Sequence, residues 1–239
     1  TFQAVTGQGR NAERMRLLAQ AGQALATSLE LPLVLETMVR LAVRTAGDFC
    51  AIDILRSPGA LERRAQASAD GITASRWIAE ARSFTFDPDG PHPLGVALRT
   101  GQPSFDLDVN DETLRRIASG PKHLEALRTL RPRGYVAVPL IIRHQTIGVM
   151  SFWTSEPAAA APDLGLVQEL GRRTAQAVDN SWLYAEAIAE SRRKEEALAL
   201  LDGVLSTAPV GLAFFAREGR FLRVNAAMAP VDGLSGEAQ

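Results

Sequence analysis

Cysteine is nearly absent from this sequence. One cysteine, Cys50, stands among 239 residues, and a single thiol excludes both an intrachain disulfide and a cysteine-rich metal site. Histidine is almost as scarce, and the three that occur, His92, His123 and His144, are too scattered to match the spacing of metal ligands. We therefore expect neither a disulfide scaffold nor a metal centre.

An excess of charge of either sign is missing as well. The 26 Lys and Arg residues balance 27 Asp and Glu residues, for a net charge of −1, so no broad electrostatic footprint for nucleic acid or anionic membrane is present. No apolar run approaches the roughly 20 residues that span a bilayer, and residues 1–10 lack a signal-peptide core. We expect a cytoplasmic setting, no nucleic-acid partner and no membrane contact by this chain.

The side chains that are present supply a substantial core, since 46% of them are hydrophobic. The clearest pattern is a hairpin: residues 135–142 and 147–154 are apolar, aromatic or β-branched, and the polar stretch 143–146 separates them. Alternate residues of the first strand point to opposite faces, and both sets are apolar. We therefore predict a sheet that is covered on both faces, with Gly148 in a strand buried on both sides.

Further strands are predicted at 48–56, 60–68 and 104–109, with the second of these near an edge because it is more polar. Helical spacing predicts helices at 11–29, 72–83 and from Pro162 onward, besides shorter ones. The predicted fold class is α+β, with a central antiparallel sheet of about five strands, helices on both faces and a long C-terminal helix. Residues 1–10 read as a flexible lead-in, and 87–93 as an irregular, mobile segment.

The C-terminal helix is predicted to continue beyond its own domain. Helix-favouring residues and an interrupted apolar seam extend from Tyr184 to Leu205, and a helix of that length needs a partner to bury its stripe. We predict a parallel homodimer through this helix and the helix at 11–29. The proposed contact residues are Leu18, Leu25, Leu198, Leu201 and Leu205.

The central hairpin and the helix after it resemble the C-terminal half of a GAF domain, a sensory module of signalling proteins. The residues that carry the resemblance are Val138-Pro139-Leu140, Ile147-Gly148-Val149-Met150, the run 163–170, the run 175–180 and Leu183-Tyr184. The stretches 208–215 and 220–228 resemble the opening of a PAS domain. We assign 11–184 to the GAF domain, 185–207 to a helical linker and 208–239 to the start of a truncated PAS domain.

The resemblance implies a ligand pocket on one face of the sheet, although core packing without a cavity explains the same residues equally well. The candidate pocket residues are Trp77, Phe84, Phe86, His92, Leu94, Arg99, Phe105, Asp106, Tyr135 and Val138. Some GAF domains hold haem through a histidine, but we predict that His92 is a solvent-exposed loop residue. Cys50 is predicted to be a buried, inert hydrophobe. No metal and no cofactor are predicted, while an unknown small-molecule ligand is compatible with the pocket.

No catalytic motif occurs in the sequence, so we predict that this chain is not an enzyme. The resemblance implies the input module of a multidomain signalling protein, a sensor histidine kinase of the two-component type, with PAS and output domains downstream. A phosphatase or diguanylate cyclase output fits equally well. The alternatives of another class are a ligand-free dimerisation and spacer module and a small GAF enzyme.

Overall fold

Five strands form one antiparallel sheet in the computed structural model, which describes residues 12, 15–23, 30–57, 60–69, 84, 87, 89–155, 163–225 and 227–228. They are β1 (Phe49–Ser57), β2 (Ala60–Ser68), β3 (Ser104–Asp106), β4 (Gly134–Ile142) and β5 (Gln145–Thr154). Their order is β2-β1-β5-β4-β3, which places β2 at an edge as predicted. β3 ends earlier than predicted because the Asp106 side chain accepts a hydrogen bond from the Asp108 backbone N–H, which turns the chain out of the sheet.

The helices begin at recognisable signals. They are α1 (15–23), α2 (Leu31–Ala46), α3 (Pro93–Thr100), α4 (Asp111–Ile117), α5 (Pro121–Leu130) and α6 (Leu164–Thr207). A proline stands in the first turn of α2, α3 and α5, where its missing N–H costs nothing. Asn110 caps α4 by accepting from the backbone N–H groups of Glu112 and Thr113 at 3.0 Å each.

The central hairpin turns more tightly than predicted. Only Arg143 and His144 form the turn, and both have positive φ values of 47° and 67°, as expected for a two-residue turn that matches strand twist. The predicted four-residue loop is therefore wrong, because Gln145 and Thr146 belong to β5. A β-bulge between Leu140 and Ile141 shifts the register along the rest of the hairpin.

The sheet separates two hydrophobic cores. One face packs against α1, α2 and α6 through Val136, Val138 and Leu140 of β4, and the other packs against α3, α4 and α5 through Tyr135 and Ala137. The predicted alternation along β4 and the burial of both faces are confirmed. The fold class, with a five-stranded antiparallel sheet, flanking helices and a long C-terminal helix, is confirmed too.

Helix α1 packs on its own chain. Leu17 and Ala21 are buried in the first core and Leu18 packs partly against it, whereas Met15 is exposed. The Arg173 guanidinium donates a 2.7 Å hydrogen bond to the carbonyl oxygen of Leu18. Leu18 therefore makes contacts within its own chain, whereas the sequence analysis predicted it at a dimer interface.

The chain divides into two compact units, Thr1–Ser181 and Trp182–Gln239. The second unit contains the C-terminal part of α6 and a two-stranded antiparallel sheet, β6 (Ala213–Phe215) and β7 (Phe221–Val224). None of the helices within the described ranges has the length and apolar character needed to cross a membrane. The predicted lead-in 1–10, the predicted helix 72–83 and Leu25 lie outside the described residues.

Candidate functional site

Five ring side chains meet over the sheet face that packs against α3, α4 and α5. We call them the ring cluster: Phe84, His92, His123, Tyr135 and Trp153. The ring centroids of Tyr135 and Trp153 lie 4.0 Å apart, those of His92 and Tyr135 5.4 Å apart, and Phe84 lies 5.0 Å from His92 and 5.1 Å from His123. The His92–Tyr135 and Tyr135–Trp153 contacts are edge-to-face, an arrangement that stabilises ring pairs beyond simple burial.

His92 enters the cluster through its position in the chain. Pro93 starts α3, so His92 becomes the N-cap residue, and its Nδ1 accepts a 3.2 Å hydrogen bond from the Leu94 backbone N–H. The side chain is 8% exposed, so the predicted solvent-exposed loop histidine is wrong. Burial, followed by the charges of His123 and Arg63, lowers the pKa of His92 from 6.5 to about 3.

His123 comes from α5 and is fully buried. Its Nδ1 accepts a 3.0 Å hydrogen bond from the Ser119 backbone N–H. In His92, where Nδ1 is likewise the acceptor, the proton of the neutral ring is carried on Nε2. The site therefore brings together two buried imidazole rings whose Nδ1 atoms both accept from backbone N–H groups.

The neutral state of His92 predicts that acid destabilises the protein. The unfolded chain binds a proton at this residue below pH 6.5, but the folded chain does so only near pH 3, so unfolding takes up a proton between these limits. The stabilisation is complete above pH 6.5 and is lost as the pH falls. At pH 5 we expect a loss of about 2 kcal/mol in unfolding free energy, measurable by urea titration at pH 7 and 5.

A pair of variants isolates the contribution of His92. His92→Asn retains a side chain that can cap α3 but cannot titrate, so its unfolding free energy should depend less on pH than that of the parent. His144→Asn is the matched control, because His144 is exposed at a positive-φ turn position that Asn tolerates. Equal pH dependence in His92→Asn and the parent would contradict the assignment.

Three predicted pocket residues lie beside a fourth, His92, at this site. Phe84 and Tyr135 are in the ring cluster, and Leu94 is buried beside them in the same core. Two others, Trp77 and Phe86, lie outside the described residues. The structure thus brings part of the predicted set together around His92.

The other four predicted residues are not members of the ring cluster. Val138 points to the opposite face, where a Cβ on Gly171 of α6 would approach its Cγ1 to 2.8 Å, so its assignment to the pocket is wrong. Phe105 is 52% exposed on the edge strand β3, which contradicts a lining role. Arg99 donates two hydrogen bonds of 3.2 Å to the Gly90 carbonyl, and Asp106 lies 3.5 Å from the Arg116 guanidinium.

Sequence reasoning did not select a buried ion pair on the same sheet face. Asp53 of β1 accepts from Arg63 of β2 through both carboxylate oxygens, at 2.9 and 3.1 Å. A register shift between Ile52 and Asp53 places Arg63 opposite the carboxylate, a use of a bulge to re-aim a side chain. The Arg63 guanidinium also lies 5.9 Å from the centre of the Phe49 ring. The pair is neutral overall.

Cys50 is not a member of the ring cluster. Cys50 is a buried free thiol on β1, as predicted, and desolvation raises its pKa well above the ordinary value, with a further increase from Asp53. The thiol is thus held in its unreactive protonated form. Across the described ranges, no three metal-ligating side chains come together.

The architecture is a five-stranded antiparallel sheet with one hydrophobic core on one face and the ring cluster on the other. The family model of the GAF domain matches residues 30–178, more than half of the 239 residues. The chain belongs to the GAF domain family. No curated protein matches the sequence.

Solved structures share the fold at low sequence identity. The GAF domain of a phosphoenolpyruvate-protein phosphotransferase from Acinetobacter is 14% identical with a TM-score of 0.52, over 74% of this chain and 97% of that one. A free methionine-R-sulfoxide reductase from Neisseria meningitidis, solved with its substrate, is 16% identical with a TM-score of 0.54, over 72% and 91%. The phycoerythrobilin-bound GAF domain of a cyanobacterial phytochrome is 18% identical with a TM-score of 0.51, over 72% and 97%.

We predict that the purified protein carries no haem, bilin or structural metal. A chromophore would need an accessible attachment or ligating group, whereas Cys50 is buried with a raised pKa. His92 is buried too, with its Nδ1 lone pair used in capping α3 and its proton on Nε2, so neither ring nitrogen offers a free lone pair. An absorption spectrum of freshly purified protein checks this. A Soret or red-region band at near-stoichiometric intensity would contradict the prediction and assign a ligand role to His92 or Cys50.

Proposed function

We propose that this chain is the input module of a multidomain signalling protein and relays a change of state through paired α6 helices. Membership of the GAF family makes it a regulatory, sensory domain. The observation that carries the relay proposal is the surface of α6: from Trp182 to Val204 its large apolar side chains are exposed, Leu198, Leu201 and Val204 among them. A helix segment of this kind is marginal in water unless its apolar side chains are covered.

A second copy of the chain is the cover we propose. Leu198, Leu201 and Leu205 recur at spacings of three and four residues, which is the repeat of a helix pair. Parallel pairing would place the two hairpins that follow α6 side by side. Small shifts or rotations of packed helices are an established way of transmitting a change of state.

The ring cluster is the proposed ligand site. It combines buried aromatic edges with two buried imidazoles, of which His92 is held neutral by burial, a composition suited to an uncharged or weakly polar small molecule. The charged residues beside the cluster, Asp53 and Arg63, pair with each other. A ligand therefore need not carry a charge to balance them. The proposal keeps the cytoplasmic setting expected from the sequence.

A sensor histidine kinase of the two-component type is the proposed parent, with a PAS domain following α6. The PAS assignment is supported by the hairpin β6–β7 and by the turn at residues 227 and 228 that follows Asn225, which agree with the order of elements at the start of such a domain. A phosphatase or a diguanylate cyclase as output is equally compatible with these residues.

Two alternatives of another class, a ligand-free spacer and a GAF enzyme, require different structural features. A ligand-free spacer needs the paired α6 helices but no ligand site. For such a spacer, a ring cluster that is packed without a cavity would be sufficient. A GAF enzyme resembling the methionine sulfoxide reductase would need cysteines in pairs for disulfide exchange, and Cys50 is the only one in this chain.

Thermal melting in the presence of a metabolite library tests the ligand site. A compound at 100 times its dissociation constant stabilises the folded state by about 2.7 kcal/mol, which corresponds to a shift of roughly 5–10 °C for a protein of this size. Phe84→Ala should abolish the shift, while Phe105→Ala, an exposed Phe on β3, should preserve it. No shift from any compound would favour the spacer, and a shift that survives Phe84→Ala would place the ligand elsewhere.

A further inference from the structure

The hairpin β6–β7 is attached to the end of α6 by one buried amide. Asn225, which follows β7, is 8% exposed, and its side chain makes four hydrogen bonds within the second unit. Oδ1 accepts from the backbone N–H groups of Leu212 and Met228 at 2.8 and 3.2 Å. Nδ2 donates to the carbonyl oxygens of Leu205 and Val210 at 3.0 and 2.9 Å. Both Nδ2 hydrogens donate and Oδ1 accepts twice, so the hydrogen-bonding capacity of the Asn225 amide is fully used.

The bond to Leu205 joins the hairpin to the helix itself. The last four carbonyl groups of a helix have no partner inside it and must find one elsewhere. Leu205 lies in the last turn of α6, and its carbonyl is satisfied by Asn225 from beyond β7. Gly203, two residues earlier, has its carbonyl accept from the Ser206 and Thr207 hydroxyl groups. The helix end therefore depends on Asn225 for a bond that its own side chains do not supply.

A second attachment lies beside the first. The Arg223 guanidinium of β7 forms an ion pair with the Asp202 carboxylate of α6. Arg223 and Asn225 are two residues apart, and they bond α6 at the Asp202 carboxylate and the Leu205 carbonyl, at positions three residues apart in the helix. Two attachments along each element resist both sliding and rotation.

Close packing next to Asn225 removes room for a hinge. A Cβ on Gly211 would meet the Met228 sulfur at 2.7 Å and the Met228 Cα at 3.2 Å. The loop before β6 thus touches the turn after β7, with the Asn225 side chain bonded to both. A single residue connects the helix end, the loop and the turn.

We propose that Asn225 and the Arg223–Asp202 ion pair form a two-point joint that makes the hairpin move with the last turns of α6. If α6 relays a signal as proposed above, this joint passes its movement into the hairpin without a flexible connection. A residue that served the 227–228 turn alone would need only Oδ1. The two Nδ2 bonds reach back to the helix and the loop, which is why the amide and not a carboxylate is required.

Spin-label distances within one chain test the joint. Labels at Arg193→Cys on α6 and Glu218→Cys on the hairpin turn use exposed positions, and the buried Cys50 is left unlabelled. Doubly labelled chains are diluted into unlabelled ones, so only intrachain distances are read. We expect a narrow distribution in the otherwise unmutated chain, a distribution about twofold wider in Asn225→Asp, and an intermediate width in Arg223→Gln.

Controls separate the joint from simple unfolding and from the proposed function. Asn180→Asp, an exposed amide on α6, should leave the distribution narrow. Amide exchange should show Ala216, which donates to the Arg220 carbonyl within the hairpin, still protected in Asn225→Asp. Loss of that protection would mean that Asn225 folds the hairpin and would overturn the joint. So would a broad distribution in the parent or a narrow one in Asn225→Asp. Because the distance lies within one chain, these outcomes do not depend on dimer formation or ligand binding.

Discussion

Gly148→Ala is expected to lose several kcal/mol of unfolding free energy or to fail to yield folded protein. Gly148 lies in β5, which is hydrogen-bonded to β1 and β4 at the centre of the sheet. A Cβ at this position would stand 2.3 Å from the Asp53 carbonyl oxygen and 3.0 Å from the Ile54 Cα. Both are backbone atoms of β1, so relief requires the strands to separate. Overpacking alone costs about 1–3 kcal/mol, and more when backbone must shift.

Gly148→Asp is expected to be worse still, because it adds an unpaired carboxylate to a site buried on both faces. The total stability of a domain is about 5–15 kcal/mol, so this variant should not fold. Gly120→Ala is the matched control, since a Cβ there meets nothing within 4 Å. Urea unfolding followed by circular dichroism compares the three. A Gly148→Ala protein that unfolds at the midpoint of the parent would show that β5 is not packed against β1 as described.

Leu198→Glu with Leu201→Glu is expected to convert a dimer into a monomer while leaving the first unit folded. The two side chains are 64% and 57% exposed, so their replacement disturbs no described core. In the proposed pair they face the second copy, and four glutamates brought together there would repel one another and remain desolvated. The apparent dissociation constant should rise by at least about two orders of magnitude, or about 3 kcal/mol.

The control for this variant is Leu222→Glu, at a leucine of β7 that is 58% exposed. It makes the same chemical change away from α6 and should keep the dimer. Analytical ultracentrifugation of the three proteins at several concentrations gives the comparison. A double variant that remains dimeric would place the contact outside this stretch of α6, and an equal loss in Leu222→Glu would show a general effect of added charge.

The central hairpin and both faces of the sheet were predictable because their signals are local. Alternation along β4 assigned Val138 and Tyr135 to opposite faces, and the structure places them in different cores. The same alternation contradicts the pocket set that included both residues. The period of the strand places Val138 on the face that packs against α6, opposite to Tyr135.

The ring cluster depends on register, which sequence pattern alone does not fix. Tyr135 pairs with Trp153 only because the turn has two residues and a bulge follows at Leu140 and Ile141. Neither feature has a sequence signal here, since Arg143 and His144 are not the residues that usually adopt positive φ. Trp153 was consequently missed as a site residue.

The two histidines show a different limit. Pro93 does predict a helix start, so His92 could have been recognised as an N-cap residue from its position before the proline. The burial of His123 could not have been recognised from the sequence, because it depends on how α5 lies over the sheet. Tertiary packing determines whether such a residue is buried, and a helix pattern gives only the face on which it lies.

The relay account is tested most directly by the mass of the unmutated chain in solution. Light scattering across a dilution series through the micromolar range should give a mass of two chains, each of 25.7 kDa, falling towards one chain only at the lowest concentrations. The mass of a single chain throughout the range would contradict the account, because an unpaired α6 would leave its apolar side chains uncovered and provide no second helix against which to shift.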